Sequence, residues 1–315
     1  MHTQQIPLVI LVGPTAVGKT AASIGLAKAL EGEIISGDSM QIFRGLDIGT
    51  AKITPEEMAG VPHHLIDIKD SWESFSAAEF KERADAAIAD IYLRGKLPIL
   101  VGGTGFYVNS VLYDYHFGET VTDEAYRQEL TQYQEQHGKE ALWQLLQQRD
   151  PQSAERLHSN DTKRIIRALE VLHLTGTPAS QRQNTVDRQT MRYNAAYLAL
   201  SLPRDMLYQR INQRVDLMME QGLEQEVRRA LDNGTPADAL SMTSLGYRQM
   251  IQYLQGEISL EKAVELIKRD TRHFAKRQLT WFRHDPNIQW MDKEGKSETE
   301  IEAELLQKVQ QTLNL

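Results

Sequence analysis

Cysteine is absent from this chain of 315 residues, which excludes a disulfide scaffold, a thiolate metal cluster, a zinc-ribbon appendage and a cysteine nucleophile. Long hydrophobic runs are missing as well. The longest uninterrupted apolar stretches, such as residues 8–12, fall far short of the roughly 20 residues that cross a bilayer. The chain does not open with a basic segment followed by a long apolar one, so no signal peptide and no membrane association are expected, and a reducing cytoplasm is the expected compartment. What is present, 41% hydrophobic and 25% charged residues, is the composition of a folded protein, and the length suits about two domains.

The net charge of −8 argues against indiscriminate nucleic-acid binding by the whole surface, but the charge is unevenly placed. Residues 156–214 hold ten Lys/Arg against four Asp/Glu, and residues 262–283 hold seven against two. Residues 285–304 reverse this, with seven acids against two lysines. The two basic segments read either as a positive face that steers a polyanion or as ordinary solvated helix faces.

Residues 7–12 form a short apolar run that enters Gly13-Pro14, the pattern of a buried strand meeting a turn. Residues 21–30 read as a helix stopped at Gly32, 33–36 as a strand, 76–93 as a helix stopped at Gly95, and 97–101 as another buried strand. This alternation implies an α/β fold: a P-loop-type parallel sheet core flanked by helices. After about residue 109 the character changes. Residues 125–136 and 139–148 read as helices separated by Gly138, Asp150 and Pro151 open another, and Asp161 is placed to cap a helix over 162–174 that ends at Gly176. In that helix Ile165, Leu169 and Leu172 form an apolar stripe, with Lys163, Arg164 and Arg167 mostly off it. Residues 195–202 return to strand-like alternation, and everything after Pro203 reads as helical. The expected division is a core of residues 1–114 and 196–315 with a helical insertion over 115–195.

Gly13-Pro14-Thr15-Ala16-Val17-Gly18-Lys19-Thr20 matches G-x-x-x-x-G-K-[ST] at every required position, after a strand and before a helix. Such a loop turns backbone N–H groups toward phosphate oxygens at a helix N-terminus. Lys19 adds a mobile charge, and the Thr20 hydroxyl suits Mg²⁺. A di- or triphosphate group is therefore the expected ligand. The acid that P-loop ATPases place after a later strand is missing, because residues 97–101 run into Gly102-Gly103-Thr104-Gly105. Instead Asp38 follows the second strand, where ligands of open α/β sheets bind. Adjacent His63 and His64 read as structural rather than metal-binding.

Several runs, in this order, resemble one family: Gly13–Thr20; Asp38-Ser39-Met40-Gln41; Gly49-Thr50-Ala51-Lys52; Pro62-His63-His64-Leu65-Ile66-Asp67; Gly102-Gly103-Thr104-Gly105; 160–170; Leu245-Gly246-Tyr247; and, in 271–282, Thr271-Arg272, Ala275-Lys276-Arg277-Gln278 and Thr280-Trp281-Phe282. Together they are similar to the bacterial tRNA dimethylallyltransferases, or tRNA isopentenyltransferases, over nearly the whole chain. The resemblance implies transfer of the five-carbon group of dimethylallyl diphosphate to N6 of adenosine 37 in the tRNA anticodon stem-loop. The P-loop would then hold the prenyl diphosphate instead of ATP, Mg²⁺ would be the cofactor and the enzyme would act as a monomer. The zinc finger of many eukaryotic members is absent.

The resemblance makes Asp38 the general base, with Lys19 and Mg²⁺ steadying the leaving diphosphate and Thr104 orienting the amine or nearby backbone. Arg214, on the helix after Pro203, is a candidate diphosphate ligand, against a plain surface arginine. The segment Asp38, Ser39, Met40 and Gln41 would meet the extruded base. Thr162, Lys163, Arg164, Ile165, Ile166 and Arg167 would hold tRNA, with Arg127 as a further contact and Arg272, Lys276 and Arg277 sharing one face of a late helix. Two other readings stand beside this one: a P-loop small-molecule kinase with Asp38 activating a hydroxyl, and a nucleotide-dependent RNA-binding module without transfer chemistry.

Overall fold

The computed structural model describes residues 5–113, 115, 122–181 and 190–315. Among the described residues six strands form one sheet, β1 (Pro7–Val12), β2 (Gly32–Ser36), β3 (His63–His64), β4 (Leu97–Gly102), β5 (Asn194–Ser201) and β6 (Gln289–Asp292), in the order β3-β2-β4-β1-β5-β6. Every pairing is parallel. The apolar run of β1 explains its central place: Leu8 to Val12 are 0% exposed, and Val9 pairs with Ile99 on one side and Ala196 on the other. A strand covered on both faces reads as continuous apolar sequence because neither face meets water.

Helices α1 (Lys19–Ala29), α2 (Pro55–Met58), α3 (Ala77–Leu93) and α4 (Gly105–Leu112) lie between or after the early strands. Ser76 starts α3 by accepting the Glu79 N–H at 3.1 Å. Helices α5 (Glu124–Arg149), α6 (Pro151–Arg156) and α7 (Thr162–Thr175) follow, and α8 (Arg204–Glu220), α9 (Leu223–Asp232), α10 (Tyr247–Leu254), α11 (Leu260–Arg283) and α12 (Glu298–Leu313) complete the chain. Ile301, Leu305 and Val309 of α12 share a buried cluster with Leu26 of α1 and the central strands.

The chain divides into two compact units, Met1–Asp114 with Arg188–Leu315, and Tyr115–Asp187. The expected insertion ran to residue 195, but Asn194 already pairs with Pro7 in the sheet. Residues 114, 116–121 and 182–189 of that region lie outside the described residues. The second unit has its own core, in which Leu130, Leu142, Leu146, Ala154, Ile165, Ala168 and Leu169 pack together. Gly138, at φ 86°, breaks α5 where the sequence places a helix boundary. Asp150 caps α6 by accepting the Ser153 N–H at 3.2 Å.

Four expectations are corrected. Asp161 does not cap α7 through its side chain; its backbone carbonyl accepts the Arg164 and Ile165 N–H groups at 2.9 and 3.0 Å. Leu172 is only partly buried. Gly32 opens β2 instead of standing between helix and strand, with the reversal made at Glu31, φ 49°. The region after Pro203 is not wholly helical, because β6 adds a parallel edge strand beside β5.

Candidate active site

The loops after β1, β2 and β4 leave the same edge of the parallel sheet, and residues from all three line one cavity of about 690 Å³. The first is the Gly13–Thr20 loop. Gly18 begins α1 in the left-handed conformation, φ 98°, which a β-carbon would strain. Thr15, Ala16, Gly18, Lys19 and Thr20 line the cavity. Val17 does not: it is 0% exposed within the sheet core and anchors the loop. Gly13 and Pro14 contribute their carbonyls, each accepting a hydrogen bond from Lys19 Nζ at 2.9 Å.

Burial pushes the Lys19 ammonium down to about 8, with Asp38 opposing and Arg214 adding to the shift. Both of those groups line the same cavity. Burial also lowers Arg214, Arg210 lowers it further, and Glu57 opposes. Three elements far apart in sequence thus bring Lys19, Arg214 and Asp38 to a single pocket, whose lining also includes Lys28, Glu57 and Glu302.

The β2 and β4 loops are tied together. Gly37 N–H donates to the Val101 carbonyl at 2.7 Å, and Thr104 N–H to the Gly37 carbonyl at 3.3 Å. A β-carbon on Gly102 would stand 2.3 Å from the Gly37 carbonyl oxygen, so the two backbones meet where only glycine fits. Asp38 Oδ1 accepts the Met40 and Gln41 N–H groups at 2.8 and 3.4 Å, which orients the carboxylate. Ser39 N–H donates to Thr104 Oγ1 at 3.2 Å. Gln41 lines the cavity, but its side-chain amide donates to the Thr50 and Ala51 carbonyls at 3.5 and 3.3 Å.

Three residues beyond the site set read from the sequence hold these loops. Gln278 of α11 accepts the Thr15 N–H at 2.8 Å and donates to the Gly103 carbonyl at 3.0 Å. Glu226 of α9, 2% exposed, accepts the Asp47, Ile48 and Gly49 N–H groups at 2.7, 2.8 and 3.0 Å and the Tyr247 hydroxyl at 2.6 Å. Lys52 Nζ reaches the Phe43 carbonyl at 2.7 Å and Asp47 and Asp67 at 2.6 Å each. The runs 49–52, 62–67 and 245–247 therefore support the wall that carries Thr50 and Ala51. Lys52 and Gln278 fall within runs shared with the family, which by themselves give neither a role. Glu226 had no sequence signal, being one more acid on an amphipathic helix. The two histidines are structural: His64 Nε2 meets Glu33 at 2.7 Å and His63 Nδ1 meets the Val61 carbonyl at 2.9 Å.

The candidate RNA contacts separate into distinct groups. On α11, Arg272 does not share the outward face; it donates to Asn212 Oδ1 at 2.7 Å and lies over the Tyr208 ring. Lys276 and Arg277 line a groove of about 540 Å³ with His273, Thr280, Trp281 and His284. Within the second unit, Lys163 and Arg164 are exposed and make no ion pair among the described residues. Thr162 is partly exposed at the start of α7. Arg167 and Arg127 are engaged with Glu170 at 2.6 and 2.9 Å. Burial raises the Glu170 carboxyl, but hydrogen bonds from Arg167, Arg127 and the Asp123 N–H outweigh it and hold the group below the usual carboxylate range. Ile165 is 0% exposed and Ile166 packs on the same core, so Ile165 has no side chain at the surface.

This is a P-loop α/β protein with a compact helical unit inserted between β4 and β5, in which the Gly13–Thr20 loop and the Asp38 carboxylate line one cavity. The model of the family described as IPP transferase matches residues 41–285. A tRNA dimethylallyltransferase of Bacillus cytotoxicus is 49% identical over 312 residues, covering 99% of this chain and 97% of that one. The crystal structure of the full-length tRNA isopentenylpyrophosphate transferase from Bacillus halodurans superposes with a TM-score of 0.72 at 47% identity, covering 98% and 99% of the two chains. A eukaryotic dimethylallyltransferase captured acting on tRNA gives a TM-score of 0.77 at 28% identity, covering 93% of this chain and 77% of that one. The chain belongs to the IPP transferase family.

Proposed function

We propose that this protein transfers the dimethylallyl group of dimethylallyl diphosphate to N6 of adenosine 37 in the anticodon stem-loop of tRNA. The observation that carries this reading is the shared cavity of Lys19, Arg214 and Asp38. An exocyclic adenine amine is a weak nucleophile, and an allylic diphosphate leaves as a polyanion. Cations for the leaving group and a carboxylate for the amine proton meet both needs.

In the step proposed, the bond from N6 to the allylic carbon forms as the bond from that carbon to the diphosphate oxygen breaks. The N6 proton passes to Asp38, a contribution of roughly 10²–10⁴ in rate. The departing diphosphate stays against Lys19, Arg214 and the amides of Gly18 and its neighbours at the start of α1. The unpaired loop base must leave its stack to reach Asp38, at a cost of a few kcal/mol. Thr104 holds the Ser39 segment, and Ser39 and Gln41 lie beside the base.

Among the described residues no three His, Cys, Asp or Glu gather as a metal cage. The donors present fit a different arrangement: the Thr20 hydroxyl is a hard oxygen on the cavity that would take the diphosphate, and Mg²⁺ is usually held by one or two protein oxygens together with substrate phosphates and waters. When bound, Mg²⁺ neutralises charge on the leaving diphosphate. Lys163, Arg164, Lys276 and Arg277 supply phosphate contacts along the tRNA, and Tyr115–Asp187 serves as the tRNA-holding insertion. The protein works as a monomer in the cytoplasm. The kinase reading is not favoured, since the relatives are named for tRNA alkylation.

Incubation with dimethylallyl diphosphate, Mg²⁺ and unmodified tRNA, followed by nucleoside mass spectrometry, tests the proposal. Prenylated adenosine is expected. ATP-dependent phosphorylation of a metabolite with unaltered tRNA would reverse the choice.

A further inference from the structure

We infer that Gln278 is a positioning residue that sets the separation between the diphosphate loop and the Asp38 side of the site. The inference rests on the prenyl-transfer reading, because that turnover is what it governs. Gln278 lies on α11 yet is buried, 6% exposed. Its carbonyl oxygen takes the Thr15 N–H at 2.8 Å, and its amide nitrogen gives to the Gly103 carbonyl at 3.0 Å. One side chain therefore spans the P-loop and the turn after β4.

What hangs from each end gives the bridge its meaning. The P-loop end carries Lys19. From the other end, Gly103 leads to Thr104, whose hydroxyl accepts the Ser39 N–H. Ser39 adjoins Asp38, and the Thr104 N–H is bonded to the Gly37 carbonyl on Asp38's other side. Leaving-group site and base are thus connected through Thr15, Gln278, Gly103 and Thr104, beside the direct pairing of β1 and β4 at Val12 and Gly102, and the links made by side chains from another element are those of Gln278 and Thr104. A reacting pair misplaced by about 1 Å loses on the order of 10² in rate, so a rigid spacer here acts on the chemical step more than on binding.

The lack of a side chain at 103 belongs to the same device. A β-carbon there would lie 2.3 Å from Gln278 Nε2, while the next neighbours, at 3.5 Å and beyond, are in ordinary contact. Gly103 does not adopt a positive φ, so the backbone itself tolerates alanine. What alanine displaces is the Gln278 amide.

The experiment is a double-mutant cycle on the full chain with Gly103→Ala, Gln278→Ala and both together. It measures kcat at saturating donor and tRNA, the dissociation constant for dimethylallyl diphosphate and the thermal midpoint. Each single change is expected to lower kcat by about tenfold or more, with donor affinity held within about threefold. The double variant is expected to match Gln278→Ala alone, because the displaced group is already gone. Gln278→Glu keeps the volume and the acceptor for Thr15 but faces Gly103 with a second oxygen, and is expected to lose kcat even where Gln278→Ala folds poorly. Parent-like kcat in Gln278→Ala or Gln278→Glu, a loss confined to donor affinity, or single effects that simply multiply would each overturn the assignment. Absence of transfer by the parent enzyme would instead count against the prenyl-transfer reading itself.

Discussion

Thr104 Oγ1 accepts the backbone N–H of Ser39 at 3.2 Å across 65 positions of sequence, so the turn after β4 holds the segment that begins with Asp38. The hydroxyl acts on the base through the backbone. Asp38→Asn is therefore expected to lower kcat by roughly 10²–10⁴ while tRNA binding persists, and Thr104→Val by a smaller factor, about tenfold. Steady-state kinetics beside a filter-binding assay reads both. An Asp38→Asn enzyme that turns over at the parent rate removes Asp38 as the proton acceptor.

Lys19 predicts a pH signature for donor binding. Its ammonium is held near 8 by burial, against the pull of Asp38. The cation that grips diphosphate is therefore full below that value and lost as pH rises through it. Bound diphosphate favours the charged form and moves the midpoint upward. Donor affinity should fall above pH of about 8, approaching tenfold per pH unit. Lys19→Met should bind weakly at every pH, with a flat profile. Isothermal titration across that range decides the matter, and a parent profile as flat as the variant's would sink the assignment.

Much of this arrangement is visible in the sequence where the signal is local. β1 and β4 announce themselves as buried apolar runs, the phosphate loop by its glycine and lysine spacing, and the break in α5 by Gly138. β3, with two residues, and β6, with four, escape because so short a strand shows no periodicity. Their place comes from pairing with β2 and β5. Gln278 and Glu226 escape for another reason. A buried polar side chain is recognised by its partners, and those lie 263 and about 180 positions away. The resemblance includes Gln278 in one of its runs without a role, and none of its runs contains Glu226.

Glu226 should be costly to remove. Its carboxylate satisfies three successive backbone N–H groups and the Tyr247 hydroxyl within the interior. Glu226→Ala strands all four donors and is expected to destabilise the protein by about 2–5 kcal/mol. Tyr247→Phe removes one donor together with one of its acceptor contacts and should cost about 1 kcal/mol. Chemical denaturation gives both numbers. A loss below 1 kcal/mol for Glu226→Ala would show that water replaces the carboxylate.

The basic residues of α7 should not behave alike. Lys163 faces solvent, and its removal is expected to weaken tRNA binding and reduce the slope of log affinity against log salt by about one. Arg167 is held by the buried Glu170. Arg167→Ala should change that slope less and lower the thermal midpoint instead, since it uncovers a buried carboxylate. Equal slope changes with unchanged midpoints would contradict this division.

The account stands on where the prenyl diphosphate binds. A crystal structure with tRNA and a non-reactive thio-analogue of dimethylallyl diphosphate measures it directly. The account predicts the diphosphate on the Gly13–Thr20 loop against Lys19 and Arg214, with the allylic carbon directed toward an extruded adenine at Asp38. A diphosphate seated away from Lys19, or ATP occupying that loop with the prenyl donor elsewhere, would contradict it.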